Sequence, residues 1–266
     1  MTWVIGNICK FGYGILVSDI QITYSCENEI KYLDCLQKVY HVGNHVAAGF
    51  AGSVSIGFEL IKDLNLFPPK GYENYYVNPY EIAERWQERA RKIFNAAPKI
   101  EQKSSASILM VAAYPSEKGV FDKICMIKLS SPDFKPEIKD KVNDIISIGC
   151  GAGVKEYTEA IKQISFDPIH PFHDPLLMAE LRYPGISADS FARYLFNQLE
   201  KTPQKGISKS LHIATVNTNG VLITNNDMGI CYPGRERIEL KMPKVVQSYE
   251  DLCNMLKADR VDEATC

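Results

Sequence analysis

Thr2, Asp19 and Lys38 place a hydroxyl, a carboxylate and an ammonium within the first forty residues, a set that could carry out acyl transfer. The chain opens MTWVIG, and a side chain as small as threonine after the initiator permits removal of Met1. Thr2 would then hold a free α-amine beside its own hydroxyl. Such a residue is nucleophile and base at once: Oγ attacks an amide carbonyl while the amine takes up the proton. An unperturbed α-amine titrates at about 7.7–8.0, so a good fraction is neutral near pH 7 and able to accept that proton. A nearby ammonium would raise the fraction further. Asp19 and Lys38 supply the residue types; alone, each reads equally as a strand end or a surface charge. Two other clusters invite chemistry. His170 and His173, with Asp167 and Asp174, have zinc-like types and spacing, but they sit in a proline-rich stretch where such residues collect by chance, so no metal site is expected. Cys150 has no histidine tied to it by sequence and is not read as a nucleophile.

The elements that must position these residues follow from the hydrophobic pattern. TWVIGNI and GYGILVSD read as two strands of a hairpin, the second ending at Asp19. After a polar excursion, SCENEIKYLDC, the run QKVYHVGNHVAAGFAG gives two more strands, Lys38 to Val42 and His45 to Phe50, about a turn at Gly43-Asn44. The period then changes. SVSIGFELIKDLNL sets Ile56, Leu60, Ile61 and Leu64 on one helical face, with Phe67-Pro68-Pro69 as its stop. NPYEIAERWQERARKIFNAA has Asn78 as N-cap, Pro79 in the first turn and Glu81 three residues after the cap, and should bury Ile82, Trp86, Ala90, Ile93 and Ala97. ASILMVAAY and GVFDKICMIKL read as paired strands, and DIISIGCGAG as a strand entering a glycine bend. A helix is expected from Val154 to about Ile164, another over ISADSFARYLFNQLEK with Ser187 as cap, and a final hairpin about Asn219-Gly220. The tail should hold a strand, KMPKVV, and a short helix capped by Ser248.

Blocks of strands and helices without strict βαβ alternation argue for an α+β fold of antiparallel sheet on sheet with helices outside. With 266 residues, 45% of them hydrophobic, one large domain is the simpler expectation. The net charge of −2 with scattered Lys and Arg disfavours nucleic acid and anionic membranes as partners. No apolar run has the length of a bilayer span and no secretory h-region is visible, so a cytoplasmic protein is expected. Eight cysteines form no CxxC pair, which favours reduced thiols over bridges or zinc.

A candidate Thr2, a strand ending in Asp19, and QKVYHVGNHVAAGFAG beginning near Lys38 resemble, in that order, the proteasome β-subunit family, and most closely its bacterial HslV-type members. The resemblance covers most of residues 2 to 226. It implies the four-layer αββα sandwich of N-terminal-nucleophile (Ntn) hydrolases over residues 2–234, with 235–266 as a C-terminal extension. It implies a threonine endopeptidase acting on unfolded polypeptide, with Thr2 as nucleophile, Asp19 and Lys38 tuning its amine, and the backbone N–H of Gly49 stabilising the oxyanion. Thr23 matches the residue that pairs with substrate as an added strand. Ile22, Leu36, Ala47 and Ala51 match the first specificity pocket, whose apolar walls imply cleavage after apolar side chains. The family also implies a homo-oligomeric ring fed by an ATP-dependent unfoldase or adaptor, with no cofactor.

This sequence departs from the family in three places. Cys150 stands where a serine is common in the glycine bend, KGISKSLHIA keeps only Ser208 and Ser210 as candidates for a conserved Asp and Ser, and Trp3 is bulkier than usual. These departures support a second reading, a non-catalytic ring or scaffold subunit. A small-molecule amidohydrolase is a third, since fold does not fix substrate.

Overall fold

The apolar runs pair into two five-stranded antiparallel sheets in the computed structural model, which describes residues 2–9, 11–26, 29–66, 78–114, 123–157, 159, 186–225, 229–230, 238–239 and 242–263. The first sheet has the order β10-β1-β2-β11-β12, built from β1 (Trp3–Ile8), β2 (Gly14–Asp19), β10 (Ile145–Gly149), β11 (Leu211–Asn217) and β12 (Gly220–Asn225). The second has the order β5-β6-β7-β8-β9, from β5 (Val39–Gly43), β6 (Val46–Gly52), β7 (Ala106–Tyr114), β8 (Lys123–Ser130) and β9 (Glu137–Lys139). All six residues of β2 are buried, which explains why GILVSD shows no polar alternation: a strand covered on both faces has no face to give to water.

Helices α1 (Val54–Asp63) and α2 (Pro79–Ala96) cover the second sheet, Ile56, Leu60, Trp86 and Ala90 packing with Phe50, Met110 and Ile127 of the strands. Their caps are those the sequence specifies: Ser53 Oγ accepts from the N–H of Ile56, and Asn78 Oδ1 from that of Tyr80 at 3.0 Å. Asp63 then ties the two helices, accepting from Trp86 Nε1 at 2.8 Å and from Arg89 at 2.6 Å. On the first sheet, α4 (Ile186–Lys201) seats Phe191, Leu195 and Leu199 against Ile5, Ile15 and Ile213. A third apolar cluster joins the two sheets, with Val4, Leu16 and Ala214 from one and Ala47, Leu109 and Met126 from the other. The architecture is a mixed α and β one with antiparallel sheets.

Several expectations need correction. The polar excursion is a hairpin, β3 (Gln21–Cys26) with β4 (Glu29–Asp34), whose partly exposed residues give it no apolar signature. The four-residue α3 (Lys99–Gln102) and β9 carry too short a pattern to read. Ser187 lies inside α4 rather than capping it. The β11–β12 turn is Thr218-Asn219, one residue earlier than Asn219-Gly220, because Asn217 pairs with Gly220 and its side chain accepts from the N–H of Asn219 at 2.8 Å. In α2, Phe94 is fully buried while Ile93 and Ala97 are only partly so. Among the described residues of KMPKVV, 242–246, only Val246 bridges, parallel to Leu36, while α5 (Tyr249–Glu263) has the expected Ser248 cap, accepting from the N–H of Asp251 at 3.1 Å. Of the helix expected from Val154, residues 155–157 and 159 are helical. The rest of that helix, Phe67-Pro68-Pro69 and the His170/His173 stretch lie outside the described residues. Among those described, no helix is long and apolar enough to cross a membrane.

Candidate active site

Asp19 ends β2 with its side chain fully enclosed, and a buried carboxylate must find donors. It finds four. Oδ1 accepts from the N–H of Trp3 at 2.7 Å and Oδ2 from that of Gln21 at 2.9 Å, while the N–H of Ser208 lies 3.4 Å from Oδ2. The fourth is Lys38, also fully buried, whose Nζ lies 3.1 and 3.0 Å from the two oxygens and donates as well to the carbonyl of Gln21. Burial pulls the Lys38 ammonium below its ordinary range, and Asp19 opposes the shift. Cys150 and Asp34 also lie close enough to act on its charge.

Thr2 immediately precedes the N–H held by Asp19. Its carbonyl accepts from the N–H of Cys150 at 2.9 Å and from the Cys150 thiol at 3.3 Å. The bend that brings Cys150 there depends on Gly149, with φ at +83°: a Cβ at that position would fall 1.9 Å from the Thr2 carbonyl oxygen. Trp3 is accommodated rather than obstructive. Its ring packs 4.9 Å from that of Tyr157 and its Nε1 donates to Ser147 Oγ at 2.8 Å.

Ser208 completes the buried polar layer, donating through Oγ to Asp34 at 2.5 Å and accepting there from the N–H of Ser210 at 3.0 Å. His212, opposite Ser18 in the pairing of β11 with β2, is 2% exposed. Burial first, and the Lys38 charge second, push it down to about 4. No motif singles this residue out in the sequence.

A cavity of about 780 Å³ opens at Thr2, and Ile22, Thr23, Ala51 and Cys150 share its lining. Three expected residues are elsewhere. Gly49 is enclosed mid-strand, opposite Val39 of β5 and Leu109 of β7. Ala47 faces the apolar layer between the sheets, and Leu36 belongs to the cluster under α1 and α2. The glycine at the cavity is Gly52, where β6 ends with φ at +101°. The N–H of Phe50 donates to the carbonyl of Lys38 at 3.2 Å. Peptide directions alternate along a strand, so the N–H of Gly52 points to that same side, past the first residue of β5. The signal was present in GFAGS: a second glycine at a strand end, immediately before a helix cap.

No group of three or more His, Cys, Asp or Glu suited to a metal occurs among the described residues. No family model matches the chain, and no curated protein matches it. Solved structures do. It is similar to Anbu, the ancestral β-subunit, from Yersinia bercovieri, with 12% identity and a TM-score of 0.52 over 85% of this chain and 88% of that one. It is similar also to the Anbu complex from Pseudomonas aeruginosa, described as a helical assembly, with 12% identity and a TM-score of 0.50 over 99% and 95% of the two chains. These neighbours belong to a proteasome-like family distinct from HslV, so the expected affinity to HslV-type peptidases is corrected. At 12% identity the likeness is one of fold: this chain is built on the plan of the proteasome-like ancestral β-subunits.

Proposed function

We propose that this chain is a subunit of a self-assembling, proteasome-like particle in which Thr2, freed of Met1, hydrolyses peptide bonds of unfolded polypeptide. The observation that carries the hydrolase part is the buried Lys38–Asp19 pair bonded to the N–H of the residue next to Thr2. A fixed positive charge in that place favours the neutral amine and the developing alkoxide. Thr2 attacks through Oγ, its amine receives and then returns the proton, and the N–H of Gly52 takes the oxyanion role expected of Gly49. Thr23 pairs with substrate backbone, and Ile22 and Ala51 favour an apolar side chain beside Thr2. The fold is read as a four-layer αββα sandwich over residues 2–234, with residues 235–266 as an extension, of which Val246, Leu252, Met255 and Leu256 pack on the core. The three apolar clusters support that reading.

Assembly draws support from the neighbours. One is described as a helical assembly, and head-to-tail contacts give a closed ring when the rotation closes and a helix when it does not. The expected ring therefore widens to a ring or a helix of identical subunits, served by a separate unfoldase or adaptor. A scaffold subunit without activity is the second reading, and the comparisons support it better than they support peptidase activity, because a fold and an assembly are all they carry. Cys150 in place of a serine favours it too. Intact mass of the purified chain, light scattering after size exclusion, and hydrolysis of fluorogenic peptides by wild type and Thr2→Ala decide between them. Loss of Met1, a large particle and activity absent from Thr2→Ala are expected. A processed, assembled but inert chain establishes the scaffold, and an active chain that retains Met1 overturns the mechanism.

A further inference from the structure

The cavity at Thr2 extends well beyond the nucleophile, to α3 and the C-terminal helix α5. Among its described lining residues only one bears a formal charge, and that is Glu101. It is reached from Gly52 through a chain of hydroxyls: Ser53 Oγ lies 3.1 Å from Ser55 Oγ, and Ser55 donates to the Glu101 carboxylate. Among the described residues no lysine or arginine lines the cavity to neutralise it; Lys99 on the same helix is engaged with Gln102 at 3.2 Å. Leu252 and Leu256 of α5 form an apolar part of the lining, and Tyr249 of the same helix is close enough to Glu101 to feel its charge.

A carboxylate at the end of an aliphatic wall matches one kind of side chain, a long apolar stem ending in a cation. We propose that Glu101, with Leu252 and Leu256, forms a second specificity site that takes a lysine or arginine side chain of a peptide bound at Thr2. This rests on the reading of Thr2 as the centre of a peptide-binding site, and it makes residues 249–256 of the extension a part of substrate recognition. An acidic side chain in the same place would meet the like charge of Glu101 and be disfavoured.

Binding tests the inference apart from catalysis. Fluorescent decapeptides alike except for one arginine, norleucine or glutamate, with that residue walked along the sequence, are titrated by anisotropy into the full-length Thr2→Ala chain and into Thr2→Ala/Glu101→Gln. At one register the arginine peptide should bind about tenfold more tightly than the norleucine peptide, and the Glu101→Gln change should abolish that ratio. Leu256→Ala should weaken the arginine and norleucine peptides together. Equal binding of the three peptides at every register, or an arginine preference that survives Glu101→Gln, overturns the proposal. Hydrolysis by wild type is measured on the same peptides. A Glu101-dependent preference without hydrolysis leaves the site standing and removes the peptidase, while hydrolysis without the preference does the reverse.

Discussion

His212 offers a quantitative test of the buried layer behind Thr2. Its ring is 2% exposed, its Nδ1 has no hydrogen-bond partner among the described residues, and the Lys38 ammonium is near enough to disfavour a second positive charge. The folded protein therefore refuses a proton until about pH 4, while the unfolded chain accepts one near 6.5. Between those values the unfolded state binds more protons, so stability falls as the pH falls. The contribution is complete above 6.5 and exhausted near 4. A displacement of this size is worth about 3 kcal/mol, of which about 2 kcal/mol is lost by pH 5. Urea unfolding of wild type and His212→Gln at pH 7 and pH 5 isolates it, because every other titrating group is common to both chains. Wild type should lose about 2 kcal/mol more than the variant between the two pH values. A ring-proton titration by NMR should show no midpoint for His212 between pH 6 and 7. Identical pH dependence in the two chains, or a midpoint near 6.5, would refute the placement of a neutral imidazole beside the Lys38 charge.

Two further perturbations address the same layer. Lys38→Met leaves the Asp19 carboxylate buried without its ion and should cost about 3–5 kcal/mol of stability, read by denaturant midpoint, along with all hydrolysis. Asp19→Asn added to it should restore much of the stability and none of the activity; a fully active Lys38→Met chain would remove the charge from the mechanism. Gly149→Ala drives a methyl group onto the Thr2 carbonyl and forces a left-handed backbone on alanine, so kcat should drop about a hundredfold from a displacement of the nucleophile. Unchanged kcat in a folded Gly149→Ala chain would mean that Thr2 does not need that bend.

What could be read from the sequence was whatever has a local cause. Asn78-Pro79 and Ser248 announce helix starts because a cap acts within a few residues, and the period of Ile56, Leu60 and Leu64 announces a covered face because it repeats along one element. Asp19 and Lys38 were legible as types, and the fully buried pair they form is a contact between distant strands that no local rule contains. The presence of Gly52 rather than Gly49 at the cavity has the same origin. Both glycines lie in one strand, and which of them reaches the cavity depends on where β5 begins beside them. Glu101 was invisible because α3 is a single turn, and only the approach of α1 and α5 turns its carboxylate into part of a wall.

The four donors gathered on Asp19 bear on when the buried layer behind Thr2 can form. Three come from the first forty residues, Trp3 of β1, Gln21 at the start of β3 and Lys38 just before β5, and the fourth is Ser208, 189 residues beyond Asp19. A chain still emerging from the ribosome, or one that has collapsed without docking β11, holds Thr2 and Lys38 but lacks the closing strand that fixes Asp19 between them. Contacts this remote in sequence form late, after most of the loop entropy has been spent. The polar layer behind Thr2 is thus completed only when the sheet is, so its geometry reports on the folding of the whole chain rather than of its first forty residues.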